Sequence, residues 1–169
     1  MSNSRPHIKV PYETIDIIIE FISITLLILM WLYCVINYIY LPDTIATHFD
    51  GVGKPDGYGS KLTIWIIPII STAIYLGLLI LNKYPHMHNY MVNINPENVL
   101  KNYRFSTRTL RVTNLLCALL MAYITYMIVE SALGKQFNLG AWFVPIVVSS
   151  SIVLPIVLIV YIKKLNKEN

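Results

Sequence analysis

The residues with the widest choice of chemistry lie in one polar stretch, residues 41–61, between two apolar segments. Its ionisable ligand types are three aspartates and one histidine: Asp43, His48, Asp50 and Asp56. Carboxylate and imidazole groups bind divalent cations, and glycine-rich backbone lets such ligands converge. The spacing is not that of an EF-hand, because Val52 and Lys54 stand where that loop requires oxygen ligands.

Two interpretations of this stretch stay open. In one, His48, Asp50 and Asp56 bind a divalent metal, which would be the cofactor of a hydrolase or transferase with Glu130 as its general base. In the other, no cofactor is present: aspartate and glycine build turns, and His48 hydrogen-bonds within the loop. If the loop folds back, the four residues are expected to form one acidic cluster that holds a cation or a basic peptide. Glu130 could instead pair with Lys135.

The elements that position these residues are four apolar segments. Only 13% of the residues are charged, which is far below the composition of a soluble domain. The segments are each long enough to cross a hydrocarbon core of about 30 Å as a helix, at about 1.5 Å per residue. They are residues 17–40, 62–81, 112–133 and 141–162. We therefore predict an all-α integral membrane four-helix bundle that forms a single domain over residues 1–169, with the first span retained rather than cleaved.

The distribution of lysine and arginine predicts the orientation. Ten lie on the side of the termini and three on the side of residues 41–61, out of 13 in the chain. By the positive-inside rule, both termini are expected in the cytoplasm and residues 41–61 outside. The opening residues 1–10 are polar and are expected to fray. Cys34 and Cys117 fall at different depths, so no disulfide is expected between them.

The linker at residues 82–111 carries a basic stripe, defined by Lys101, Arg104, Arg108 and Arg111, which fall within an arc of about 80° on a helix. Contact with anionic lipid headgroups explains this stripe and leaves no need for nucleic acid as a partner. Docking of a cytoplasmic regulator is the alternative.

The stretch from Leu41-Pro42 through His48-Phe49-Asp50 to Pro55-Asp56-Gly57-Tyr58-Gly59-Ser60-Lys61 resembles the signature of a bacterial membrane family known as the domain of unknown function 1648. Pro96-Glu97-Asn98 and the later Tyr103-Arg104, Ser106 and Arg108 extend this resemblance over roughly residues 20–110. The family's module also begins SdpI-like proteins, which confer immunity to a secreted peptide toxin. Ala46 departs from the pattern, because relatives often have proline there, and the extra helices of the larger immunity proteins are missing from this sequence.

The resemblance implies a small multi-pass protein of the bacterial cytoplasmic membrane with an outward-facing signature loop. We expect recognition without catalysis, in which a cationic, amphipathic peptide toxin is held at the outer leaflet. Asp43, Asp50 and Asp56 would attract its charge, and Tyr40, Phe49 and Tyr58 would contact its apolar face. The alternatives are the metal-dependent enzyme and a transporter or channel subunit; the latter lacks a charged residue near mid-depth of any span, although a homo-oligomer could still line a pore.

Overall fold

The computed structural model describes residues 5–135 and 139–167. Within these ranges the elements are, in chain order, α1 (Thr14–Asn37), β1 (Thr44–Phe49), β2 (Pro55–Ser60), α2 (Ile66–Leu81), α3 (Val99–Ala132) and α4 (Phe143–Lys167). Short 3-10 turns follow α1, precede α2 and interrupt the linker after α2. The molecule is mostly helical, at 69% of its residues.

Four helical segments in the described ranges are long and apolar enough to cross a membrane: Thr14–Tyr40, Lys61–Leu81, Val99–Ala132 and Phe143–Lys167. They confirm the four predicted spans, with different ends. The third helix is the clearest difference, because α3 begins at Val99 instead of residue 112 and is continuous through the basic stripe. The helix predicted in the linker after Asn95 is thus the first part of α3, continuous with the third span.

Helices α1, α2 and α3 form the packed core. Leu27 and Met30 of α1 are buried against Tyr75 of α2. A polar contact between α1 and α2 lies within this apolar layer. Trp31 donates from Nε1 to Oγ1 of Thr72 over 3.0 Å, so these side chains satisfy each other away from water.

Helix α4 lies outside this core. Of its described residues only Ile162 is buried, and its middle exposes large apolar side chains such as Ile152 and Val160. It meets α3 through two ring stacks, Tyr123 on Phe143 and Phe105 on Tyr161, at opposite ends of the helix pair. The predicted four-helix bundle is thus a three-helix core with a peripheral fourth helix.

The all-α prediction was wrong at residues 41–61, where β1 and β2 pair as an antiparallel hairpin. The residues of β2 are rich in glycine and aspartate, which strands usually avoid, so local propensity concealed the strand. Packing overrides that propensity here, because Ile45 of β1 is 2% exposed in the core. We call this end of the molecule the hairpin end.

The opposite end, which we call the terminal end, holds residues 5–13, the linker after α2 and the last turns of α4. Here Tyr90, Val99 and Tyr103 form a small apolar cluster that Ile8 and Val10 cover. The hydroxyl of Tyr103 donates to the carbonyl of Pro6 over 3.0 Å. The expected fraying was therefore wrong for residues 5–10, because buried apolar side chains hold them; residues 1–4 lie outside the described part of the chain.

Candidate functional site

The hairpin is fixed to the helices by its inner face. Leu41 and Ile45 are buried with Ile64, which leads into α2, against Ile128 and Val129 of α3. Burying each such side chain is worth about 1.5–3 kcal/mol relative to exposure. The hairpin is therefore a docked element rather than a loose loop.

The tip of the hairpin is built by Asp50. Its carboxylate Oδ1 accepts hydrogen bonds from the backbone N–H groups of Val52, at 2.9 Å, and Lys54, at 2.8 Å. Gly53 follows with a φ of +81°, a left-handed conformation that glycine adopts without strain. One oxygen of Asp50 therefore stabilises the turn. Asp50 was predicted to bind a ligand, and in the structure it shapes the hairpin.

The tip also touches the connection between α3 and α4. The backbone N–H of Leu139 donates to the carbonyl of Gly53 over 2.9 Å. A Cβ on Gly53 would lie 2.9 Å from the backbone nitrogen of Gly140, so only glycine fits there. The hairpin thus folds back over the ends of the helices, which was the condition for the predicted acidic cluster.

Two polar pairs lie on the hairpin's outer side. Nδ1 of His48 contacts Oδ1 of Asp56 across the strands, and their side chains are 72% and 46% exposed. Asp43 pairs with Lys61 over 3.0 Å, but 96% of the Asp43 side chain stays exposed. The hydrogen bond of His48 within the loop agrees with the turn-building interpretation.

Glu130 has partners other than the hairpin aspartates. The hydroxyl of Tyr33 donates to its Oε1, and Lys135 pairs with its Oε2. The hydrogen bond to this carboxylate raises the pKa of Lys135. The predicted pairing of Glu130 with Lys135 is confirmed, and the carboxylate itself is buried at the ends of the helices.

The structure brings His48 and Asp56 together and gives Asp50 and Glu130 separate partners. In the ranges 5–135 and 139–167, no three histidine, cysteine or acidic side chains gather closely enough to hold a metal ion. The metal-dependent enzyme and the ligand-binding role of these four residues therefore stay predictions.

The aromatic residues of the predicted site divide into two groups. Phe49 packs partly buried against the apolar cluster below the hairpin. Tyr40 and Tyr58 are 67% and 66% exposed. The aromatic surface open to a partner is thus provided by the two tyrosines, which are close in sequence to Asp43 and Asp56.

At the terminal end, the basic stripe contacts three acidic residues. Glu13 lies just before α1, and Asp16 and Glu20 lie within it. Arg108 pairs with Glu13 at 2.7 Å and with Asp16 at 2.9 Å. Arg111 lies 3.5 Å from Asp16 and 3.4 Å from Glu20. The interaction of the stripe with lipid headgroups stays a prediction, but protein carboxylates already occupy these two arginines.

The sequence analysis did not predict this ion-pair network, although the spacing of the charged residues indicates it. Glu13, Asp16 and Glu20 follow a spacing of three and then four residues, which places them on one helical face. The arginines of the stripe at 104, 108 and 111 have the mirror spacing of four and then three. Two complementary faces on helices that run in the same direction predict a cross-helix network.

The comparisons agree with the residues that suggested a family. An uncharacterized protein of Archaeoglobus fulgidus is 36% identical over 69 residues, which represent 36% of this chain and 38% of that protein. The chain therefore matches little more than a third of that relative's length. No solved structure matches the chain.

The family match covers the end of α1, the hairpin and the start of α2. This range is narrower than residues 20–110, over which the sequence resembles the family. Its description assigns no activity, so the match identifies the hairpin with its two flanking helices as the shared unit. Residues 25–72 are identified by the model of the family described as Domain of unknown function (DUF1648), which confirms the resemblance of the hairpin sequence.

Proposed function

We propose that this protein is a recognition protein of the bacterial cytoplasmic membrane, which binds a cationic, amphipathic peptide on the outer side through its hairpin. The observation that carries this proposal is a docked hairpin whose outer side turns Tyr40, Tyr58 and the carboxylates of Asp43 and Asp56 away from the protein. Orientation follows from the predominance of lysine and arginine at the terminal end.

Rigid presentation supports the proposal. An element that binds a partner gains affinity when it does not have to be ordered on binding. The buried contacts of Leu41 and Ile45 and the hydrogen bond from Leu139 to Gly53 hold the hairpin in place before any partner arrives. The outer tyrosines are then rigid aromatic contacts next to carboxylates, the combination that an amphipathic cation requires.

The charge at the hairpin end gives the carboxylates a limited role. Asp43, Asp50, Asp56 and Glu130 face three lysines, Lys54, Lys61 and Lys135, so the balance is close to neutral. Long-range attraction is therefore weak, and local contacts with Asp43 and Asp56 provide orientation rather than most of the affinity.

The edge of the hairpin provides a further mode of contact. The sheet has two strands, and β1 is the strand that packs on α3. An extended peptide could pair with the outer edge of β2, since an unpaired strand edge presents free backbone donors and acceptors. Tyr58, in the middle of β2, would then lie beside the added strand.

Binding is tested with purified protein in lipid nanodiscs and a synthetic amphipathic peptide rich in lysine. We expect Asp43→Asn with Asp56→Asn to weaken binding several-fold, with a smaller dependence on salt. Tyr58→Ser should weaken binding at all salt concentrations, because it removes apolar contact. Glu97→Gln, which removes an exposed carboxylate at the terminal end, is the matched control. Equal weakening by Glu97→Gln, or no peptide binding at all, would contradict the proposal.

The finer proposal is that this recognition confers immunity, as in SdpI-like proteins. Expression in a host sensitive to a secreted peptide toxin tests it by survival. We expect the wild-type chain and Glu97→Gln to protect, and the Asp43→Asn, Asp56→Asn double variant to protect less. Equal survival with and without the protein would remove immunity while leaving the binding result intact.

A further inference from the structure

The linker after α2, residues 82–98, has a buried side and an exposed apolar side. His88 and Tyr90 are buried against the rest of the molecule, at 7% and 8% exposure. Met87 and Met91, which alternate with them along the chain, are 67% and 61% exposed. Exposed apolar side chains that are grouped in this way mark a surface that another apolar surface covers.

Hydrogen bonds fix the position of this linker relative to two helices. Nε2 of His88 donates to the carbonyl of Leu81, the last residue of α2, over 3.0 Å. Nδ1 of the same ring hydrogen-bonds Oγ of Ser106, in α3, over 2.7 Å. The hydroxyl of Tyr90 donates to the carbonyl of Pro85 over 2.8 Å, which closes the linker on itself. The linker is therefore an ordered element whose level along the helices can be stated.

That level is the boundary of the membrane. The span Lys61–Leu81 has 21 residues, enough as a helix for a hydrocarbon core of about 30 Å, so Leu81 lies at the end of the core. Ser106 lies at the same level and about two turns after α3 begins, so about 11 Å of α3 projects beyond the core. The headgroup region on one side of a bilayer is about 5–8 Å thick. The linker thus lies at the level of the headgroups.

We propose that this linker is an interfacial anchor, which inserts Met87 and Met91 among the lipids of the leaflet at the terminal end. Two further exposed side chains flank them, Lys83 and Tyr84. A tyrosine ring suits the membrane interface, and a lysine stem can lie along apolar surface with its ammonium in water. The flexible methionine side chain fits the irregular surface that lipids offer. This surface is separate from the hairpin and does not depend on the function proposed for it.

Lipid is favoured over a protein partner by this level. A soluble partner would have to displace headgroups to reach side chains that lie beside the end of the hydrocarbon core, whereas lipid is already there. A second copy of the chain has the same orientation in the same membrane, so its linker would lie at the same level. Contact between two copies would cover the methionines with protein, and it is a separate outcome of the test.

Methyl NMR of the protein in lipid nanodiscs, with isotope-labelled methionine, tests the proposal. Two paramagnetic probes are compared: phosphatidylcholine with a nitroxide near the top of its acyl chain, and a soluble gadolinium chelate. We expect the signals of Met87 and Met91 to lose most of their intensity with the lipid probe and little with the chelate. Met30 and Met127, at 3% and 5% exposure, are internal controls that should lose less with the lipid probe. A loss mainly with the chelate would place the linker in water, and no loss with either probe would mean that protein covers it; either result would overturn the proposal.

A charge placed in the linker provides an independent test. Met87→Asp puts a carboxylate where lipid is expected, and the matched control Asn89→Asp puts one at an exposed polar position of the same linker. In phosphatidylcholine nanodiscs, hydrogen exchange of residues 82–91 should rise several-fold in Met87→Asp, because a short carboxylate loses hydration among lipids. Asn89→Asp and Met87→Leu should exchange like the wild type. Circular dichroism confirms that each variant is folded. Equal exchange in Met87→Asp and Asn89→Asp would show that both positions face water and would contradict the anchor.

Discussion

The two polar ends of the molecule are held by opposite physical means. At the hairpin end, apolar side chains such as Ile45 and Ile64 anchor the structure, and most polar side chains point outward. At the terminal end, charged groups are turned inward, with Asp16 at 1% and Arg111 at 5% exposure. The hairpin end therefore exposes most of its polar groups to solvent, while the terminal end uses many of its charges to join α1 to α3.

Because of this difference, the loss of a charged residue has different effects on stability at the two ends. The carboxylate of Asp43 is in solvent, so its loss costs the fold little and affects mainly what the surface attracts. Arg108 and Asp16 are members of a shared network, so the loss of either leaves a neighbouring charge with one partner fewer. A variant that alters function at the hairpin end is thus easier to interpret than one at the terminal end.

The largest effect is expected for Asp16→Asn. The carboxylate accepts hydrogen bonds from Arg108 and lies next to Arg111, and removal of its charge leaves the buried Arg111 with Glu20 as its remaining carboxylate in the network. We expect a loss of about 3–5 kcal/mol in the free energy of unfolding, the range for breaking a buried ion pair. Unfolding in detergent, followed by circular dichroism, measures it. Asp43→Asn is the control at the hairpin end and should change stability little. Similar losses in both variants would remove the contrast between the ends.

A smaller effect is expected for Gly53→Ala at the hairpin tip. The alanine would have to adopt a left-handed backbone conformation, and its Cβ would approach Gly140 and Leu139 to about 3 Å. We expect a loss of about 1–3 kcal/mol, the cost of local backbone strain. Gly51→Ala is the matched control, because nothing lies within 4 Å of a Cβ at that position. Hydrogen exchange of residues 44–60 should rise in Gly53→Ala only; an equal rise in both would show that the tip is not docked.

The sequence predicts the apolar helices well, because twenty consecutive apolar residues have few other structures in a membrane. It predicts the hairpin poorly. The stretch from Pro55 to Ser60 contains two glycines and an aspartate, so its strand conformation depends on pairing with β1 and on burial of Ile45 against α3. Such long-range packing is not visible in local propensity.

The candidate site follows the same rule. The composition of residues 41–61 predicts where the candidate site lies, and the pairing of Glu130 with Lys135 followed from their proximity in sequence. The commitment of Asp50 to the turn and the position of Phe49 against the core required the three-dimensional register of the strands. The network around Arg108 was readable only by comparing two distant helices for complementary spacing.

The smallest effect is expected for pH at the terminal end, where His86 stacks on His7 with ring centroids 3.9 Å apart. Burial and the neighbouring His7 and His88 hold the pKa of His86 below its usual range. The contribution of His86 to stability is therefore complete above its unfolded pKa of about 6.5 and is lost as the pH falls through the lower folded value. Hydrogen exchange of residues 5–13, corrected for intrinsic rates, should rise below that pH in the wild type but not in His86→Asn. Exchange of the hairpin should stay constant, because burial of Ile45 involves no titration; a parallel rise at both ends would mean that acid loosens the whole molecule rather than this contact.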